Sequence, residues 1–142
     1  VCSSDLDDVD DEAALHLAAA VLLIEVAKSD HVVRDMQVEQ LKDVLKREWA
    51  LDDSDLSDLL NVARDAAEAH ASLYEQVALV NRNFSPQQKF NLVRGLWEVA
   101  YANGELHHHE ELLIRRLADL MYVSHTDFIR SKHCVLEARG IR

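Results

Sequence analysis

Two glutamates interrupt apolar stretches of this sequence in the same way. Glu25 follows Leu-Leu-Ile, and Glu98 follows Leu-Trp. Each stands five positions before a polar turn residue, which is Asp30 in the first case and Asn103 in the second. Carboxylate and amide oxygens are the ligands that hard cations such as Ca²⁺ and Mg²⁺ prefer. With Glu110 a few residues further on, these side chains could form a hard-cation site.

Two other interpretations of the same glutamates remain open. A carboxylate in an apolar stretch needs a partner, and Lys28 at i+3 from Glu25 and Arg94 at i−4 from Glu98 are suitably spaced for ion pairs on a helix. Alternatively, the acidic residues form a surface on which a partner docks.

The segment Asn103–Glu110 resembles the second half of a calcium-binding EF-hand loop. Its glycine, aliphatic residue and closing glutamate have the spacing of that loop. Val99 and Tyr101, however, occupy positions that should hold aspartate. In an earlier copy of the turn, His31 replaces the glycine and Gln37 replaces the closing glutamate. A complete EF-hand is therefore not predicted, and a helix end followed by an acidic first helical turn explains the segment equally.

Histidines add weaker candidates. His107 and Glu111 are four residues apart, so they share one helical face and could bind a transition metal together; an exposed polar first turn is the alternative. His133 lies on the last predicted helix. The full candidate set for binding a metal or a partner is Glu25, Asp30, Glu98, Asn103, Glu105 and Glu110, with His107, Glu111 and His133 as weaker members. No cofactor is indicated other than a divalent cation.

The two turns belong to a longer internal repeat with an offset of 73 residues, such as that between Glu25 and Glu98. Self-similarity of this kind constrains a fold strongly. Apolar residues recur at helical spacing and no stretch alternates like a strand, so we predict an all-α fold of about seven helices. Two helix–acidic turn–helix repeats would pack with pseudo-two-fold symmetry. We predict an acidic, flexible lead-in followed by one domain, divided as lead-in 1–12, domain 13–142, first repeat about 13–71, connector about 72–84 and second repeat about 85–140.

Composition limits the classes of function. The chain has 142 residues, with 15 Lys and Arg against 26 Asp and Glu. Its formal charge of −11 repels nucleic acid and anionic lipid and suits a cation or a basic partner. The longest apolar run, Leu17–Ile24, is too short to cross a bilayer. No phosphate loop, nucleophile elbow or HExxH motif is present, so we predict that the protein is not an enzyme.

With these residues in view, the chain resembles the TerB-like (tellurite-resistance protein B) family over about Leu15–Leu136. The most specific stretch is Leu96–Leu106, followed by Glu110. Asn103 stands where the family usually has aspartate. The resemblance implies an all-helical two-repeat domain in the bacterial cytoplasm, or peripheral at the inner membrane. It also implies a role in resistance to tellurite and other stresses, acidic residues that bind metal, and no enzymatic activity.

These observations predict a non-enzymatic binding module that uses an acidic face between the repeats to engage a cation or a basic partner. Its partner would be a protein, for which a membrane-associated complex is one candidate. The alternative is a structural interaction domain with an apolar groove between its halves and no metal site. Neither version binds nucleic acid or inserts into a membrane, and the sequence leaves the oligomeric state open.

Overall fold

The computed structural model of the chain describes residues 2–28, 35–68, 73–102, 106 and 108–140. Within these ranges the chain forms seven α-helices and no β-strand, so the predicted all-α class is confirmed. In chain order the helices are α1 (Cys2–Ala27), α2 (Asp35–Trp49), α3 (Asp53–Glu68), α4 (Leu73–Asn83), α5 (Pro86–Ala100), α6 (His108–Leu120) and α7 (His125–Ala138).

Helix α1 forms the centre of the core. The residues from Ala18 to Leu23 are all completely buried, and the helix packs against α2, α3, α4, α5 and α6. A helix that is apolar on all sides must be surrounded, and its alanines allow neighbours to approach closely. Helix α1 begins at Cys2, whereas the sequence predicted a start near Asp11. The acidic lead-in is therefore part of the helix, and its flexibility stays a prediction.

Local signals place the start of α5. The Ser85 hydroxyl accepts a hydrogen bond from the Gln88 backbone N–H at 3.2 Å, and the Gln88 side chain accepts one from the Ser85 N–H at 2.8 Å. Pro86 occupies the first turn, where its missing N–H costs nothing. This reciprocal capping box fixes where the second predicted repeat begins.

Helix α5 is the second central element, since it packs against α1, α2, α6 and α7. Trp97 is completely buried, and its ring centroid lies 5.3 Å from that of Phe128 on α7. At the crossing with α2, Gly95 is so close to Val44 that an added Cβ would lie 2.7 Å from a Val44 methyl carbon. The absence of a side chain at Gly95 therefore sets how closely α2 and α5 approach.

The helices pair in a way that the predicted repeat would produce. Helix α1 packs against α2 and α3, and α5 packs against α6 and α7. Across the two halves, α2 packs against α5 and α1 packs against α6. The pseudo-two-fold symmetry itself stays a prediction.

Candidate functional site

Glu98 is the most extensively paired of the predicted site residues. Both of its carboxylate oxygens accept hydrogen bonds from the guanidinium of Arg47 on α2, each at 2.9 Å. The Gln40 amide donates a third bond at 3.2 Å. The Nε atom of Arg94, the predicted partner at i−4, lies 3.6 Å away. Glu98 therefore joins α5 to α2 through a bidentate ion pair, the strongest geometry for such a pair.

Sequence reasoning anticipated Arg94 but missed Arg47. Arg47 is 51 residues away from Glu98, so no local spacing could link them. Hydrogen bonding to Glu98 raises the pKa of the Arg47 guanidinium above its ordinary value, although burial acts in the opposite direction. The side chain of Glu98 is only 14% exposed, which leaves little of this carboxylate open to an ion from solvent.

Glu110 lies inside the core rather than on an open surface. Its side chain and that of Gln37 are both completely buried, and Gln37 Nε2 donates a hydrogen bond to Glu110 Oε2 at 3.0 Å. Each of the two residues also has a further interaction. Gln37 and Glu110 hold the closing positions of the two repeated turns, 73 residues apart. The structure thus joins two residues that the sequence related only by alignment.

The Gln37–Glu110 contact joins the beginnings of two helices. Gln37 lies in the first turn of α2 and Glu110 in the first turn of α6. The first turns of α2 and α6 are therefore close together. The predicted site residues that precede these two helices in the sequence lie outside the described residues: Asp30, Asn103, Glu105 and His107.

Glu25 is half-buried on α1. The ion pair predicted with Lys28 is not present, although both residues are among those described. Helix geometry alone therefore does not determine the environment of Glu25, and its predicted role as a ligand stays a prediction.

Two of the weaker candidates, Glu111 on α6 and His133 on α7, lie within the described residues. Glu111 accepts a hydrogen bond from Lys132 Nζ at 3.3 Å. The Glu111 charge also acts on Tyr101. Burial of the Tyr101 phenol raises its pKa above the ordinary value, and the Glu111 charge raises the pKa by a smaller amount. His133 is exposed on α7. Glu111 thus has a basic partner of its own, and the predicted pair with His107 falls partly outside the described chain.

Among the residues that the structure describes, no group of three or more His, Cys, Asp or Glu side chains could hold a metal ion. Glu25, Glu98 and Glu110 therefore do not form a three-ligand site by themselves. A cation site that includes the two acidic turns stays a prediction.

The lining residues of two clefts were not predicted from the sequence. One lies between α2, α5 and α7 and has a volume of about 500 Å³. We call it the arginine cleft, and it is lined by Gln40, Arg47, Arg94, Glu98, Cys134, Val135, Ala138 and Arg139. The other has a volume of about 240 Å³ and lies between α2 and α5, with Leu23, Val44, Trp49, Phe84 and Leu92 as its apolar lining. Both clefts depend on how distant helices cross, which sequence periodicity does not give.

Comparison with known protein families shows that residues 16–133 match the family described as Tellurite resistance protein TerB. No curated protein matches the chain, and no solved structure does. Within the described ranges, none of the helices combines the length and the apolar character needed to cross a membrane.

Proposed function

Because this chain belongs to the TerB tellurite resistance family over residues 16–133, we propose that it is a non-enzymatic binding module. Its binding face is formed by the two acidic turns, and it engages a divalent cation or a basic protein partner. The ligands are the turn residues Asp30, Asn103 and Glu105. The observation that carries this proposal is the Gln37–Glu110 hydrogen bond, which brings the first turns of α2 and α6 together.

The contacts of Glu98 and Glu110 support a different role for these two glutamates than for the turn residues. Glu98 is engaged by Arg47 and Gln40, and Glu110 is completely buried against Gln37. These two carboxylates stabilise the packing of α2 against α5 and α6. The same contacts position the first turns of α2 and α6. In this proposal Glu98 and Glu110 are positioning residues, and the turn residues make the contact with the ligand.

The charge of the chain favours this kind of ligand. The formal net charge is −11, and an acidic protein attracts cations and basic partners over a range set by ionic strength. The first turns of two helices also meet at the Gln37–Glu110 contact, and helix N-termini favour anions. A cation must therefore be held by the turn carboxylates themselves, which makes their removal a sharp test.

The test is thermal unfolding of the metal-free protein with Ca²⁺, Mg²⁺, Mn²⁺ or Zn²⁺. A cation that binds only the folded state should stabilise it by about 2.7 kcal/mol at 100 times its dissociation constant, which corresponds to a rise in Tm of roughly 8 °C for a chain of this size. Binding of a short lysine-rich peptide, followed by fluorescence anisotropy, tests the basic partner in the same samples.

The decisive variant combines Asp30→Asn with Glu105→Gln. We expect it to abolish the response to the cation or peptide while leaving the Tm of the metal-free protein unchanged. The control combines Asp58→Asn with Asp65→Asn, which removes two exposed charges on α3 and should leave the response intact. If neither ligand binds, or if the control removes binding equally, the proposal is wrong.

A second candidate function has one specific observation in its favour. The smaller cleft lies between α2 and α5, which belong to different predicted repeats, and five of its eight described lining residues are apolar. At about 240 Å³, it could take an anchoring side chain of a partner but not a whole helix. Binding of an apolar peptide that is lost in Trp49→Ala and unaffected by Asp30→Asn would favour this structural interaction domain over the acidic-face module.

A further inference from the structure

The arginine cleft concentrates positive charge on an acidic protein. Arg47 comes from α2, Arg94 from α5, and Arg139 from the C-cap of α7. Among the described lining residues Glu98 is the acidic one, so three guanidinium groups face one carboxylate. The described lining therefore has a formal charge of +2 within a chain whose formal charge is −11.

Glu98 does not satisfy all three guanidinium groups. Its two oxygens accept the two hydrogen bonds from Arg47, and a third bond comes from Gln40. Arg94 Nε is buried and has no hydrogen-bond partner, since its distance of 3.6 Å to Glu98 is too long. Arg139 donates to the neutral amide oxygen of Gln40 at 3.2 Å. In the described chain, Arg94 and Arg139 thus lack a hydrogen-bonded carboxylate.

Guanidinium groups recognise a particular class of ligand. Each presents five N–H donors in a planar fork that matches the oxygens of a phosphate group. The cleft volume of about 500 Å³ exceeds what a single phosphate needs, and Val135 and Ala138 add an apolar surface next to the arginines. We propose that the arginine cleft binds a phosphate group, as the free ion or as the ester of a small organic molecule. This inference does not depend on the proposed function.

Glu98 has a defined role in this site. Its carboxylate accepts two hydrogen bonds from the Arg47 guanidinium and repels a bound anion. Replacing it with glutamine keeps the shape of the side chain, removes the carboxylate that pairs with the two Nη atoms of Arg47 and raises the charge of the cleft by one, while Arg47 Nε still donates to Glu48 at 3.4 Å. Glu98→Gln should therefore tighten phosphate binding. A cation site that used Glu98 as a ligand would respond to the same change in the opposite direction.

Isothermal titration calorimetry at constant ionic strength tests the proposal on the full chain, with inorganic phosphate, pyrophosphate and phenyl phosphate as probes. Loss of one charge-assisted hydrogen-bond donor in Arg139→Gln or Arg94→Gln should weaken binding about tenfold. Glu98→Gln should tighten it by a similar factor. Arg82→Gln, an exposed arginine on α4 away from the cleft, is the matched control and should change binding less than about twofold. Tighter binding of phenyl phosphate than of inorganic phosphate would identify an ester as the ligand, and the reverse would identify the free ion.

Cys134 gives an independent readout, because it lines the cleft and is exposed. In a Cys2→Ser background, alkylation of Cys134 by iodoacetamide should slow as a probe saturates the cleft. The proposal is overturned if no probe binds saturably at millimolar concentration to either the wild type or Glu98→Gln. It is also overturned if Arg82→Gln weakens binding as much as Arg139→Gln, or if saturating probe leaves the alkylation rate unchanged.

Discussion

Replacing Gln37 with alanine is expected to lower the free energy of unfolding by about 3 kcal/mol, because it removes a buried hydrogen bond and leaves a cavity. The Gln37 amide donates to Glu110 at 3.0 Å, and both side chains are completely buried. Truncation of Gln37 removes this bond and leaves space in the core next to Glu110. Urea denaturation followed by circular dichroism measures the change.

Conservative and apolar replacements distinguish the contribution of hydrogen bonding to stability from that of packing at this contact. Glu110→Gln keeps the volume and allows an amide–amide hydrogen bond, so it should cost only about 1 kcal/mol. Replacing both residues with leucine removes the polar pair at similar volume, and the stability loss that remains measures the further interactions that both residues make. Gln87→Ala, on the exposed side of α5, should change stability by less than about 0.5 kcal/mol. If Gln37→Ala costs as little as this control, the contact does not stabilise the fold.

The substitution Gly95→Val is expected to destabilise the protein by about 3 kcal/mol or more, since it overfills the crossing of α2 and α5. An added Cβ would already lie 2.7 Å from a Val44 methyl carbon, and Leu23 Cδ2 is 3.7 Å away on the other side. Val44 is 1% exposed and its short branched side chain has few alternative rotamers. The helices must therefore separate. Thermal and urea unfolding both report the loss.

Gly95→Ala tests whether the steric conflict with Val44 or the higher helix propensity of alanine has the larger effect on stability. Alanine in a helix interior gains about 1 kcal/mol over glycine, whereas overpacking costs about 1–3 kcal/mol, so a net loss is expected. Adding Val44→Ala removes the methyl groups in conflict, so the double variant should be more stable than the sum of the single losses predicts. Gly140 offers a contrast, because it has a φ of +71° and nothing within 4 Å of an added Cβ. There, alanine should cost only the strain of the left-handed backbone, about 1 kcal/mol. A Gly95→Ala protein more stable than wild type would contradict the steric interpretation.

The sequence predicted those features of the fold that depend on neighbouring residues. The Ser85-Pro86 start of α5 follows from hydrogen bonds within one turn, and the burial of residues 18–24 of α1 follows from their unbroken apolar sequence. The start of α1 was predicted too late, because an acidic segment favours both a solvated lead-in and the first turns of a helix.

Contacts between distant helices were not predictable in the same way. The ion pair of Arg47 with Glu98 and the hydrogen bond of Arg139 with Gln40 join residues 51 and 99 positions apart. Neither shows any spacing signal, since the crossing of α2, α5 and α7 creates both. Gln37 and Glu110 were aligned as repeat equivalents, yet their contact inside the core was not predicted. Repetition in a sequence indicates which positions correspond, whereas packing decides which of them touch.

The buried hydrogen bond between Gln37 and Glu110 also has a consequence for the order of events on the ribosome. At synthesis rates of 5–20 residues per second, the 73 residues that separate the two positions take about 4–15 s to be added. For most of that interval α1 has been synthesised while α5 and α6 have not, so part of its apolar surface is uncovered. The nascent first half therefore passes through a stage in which a chaperone could bind it, and this stage ends only when the second half arrives.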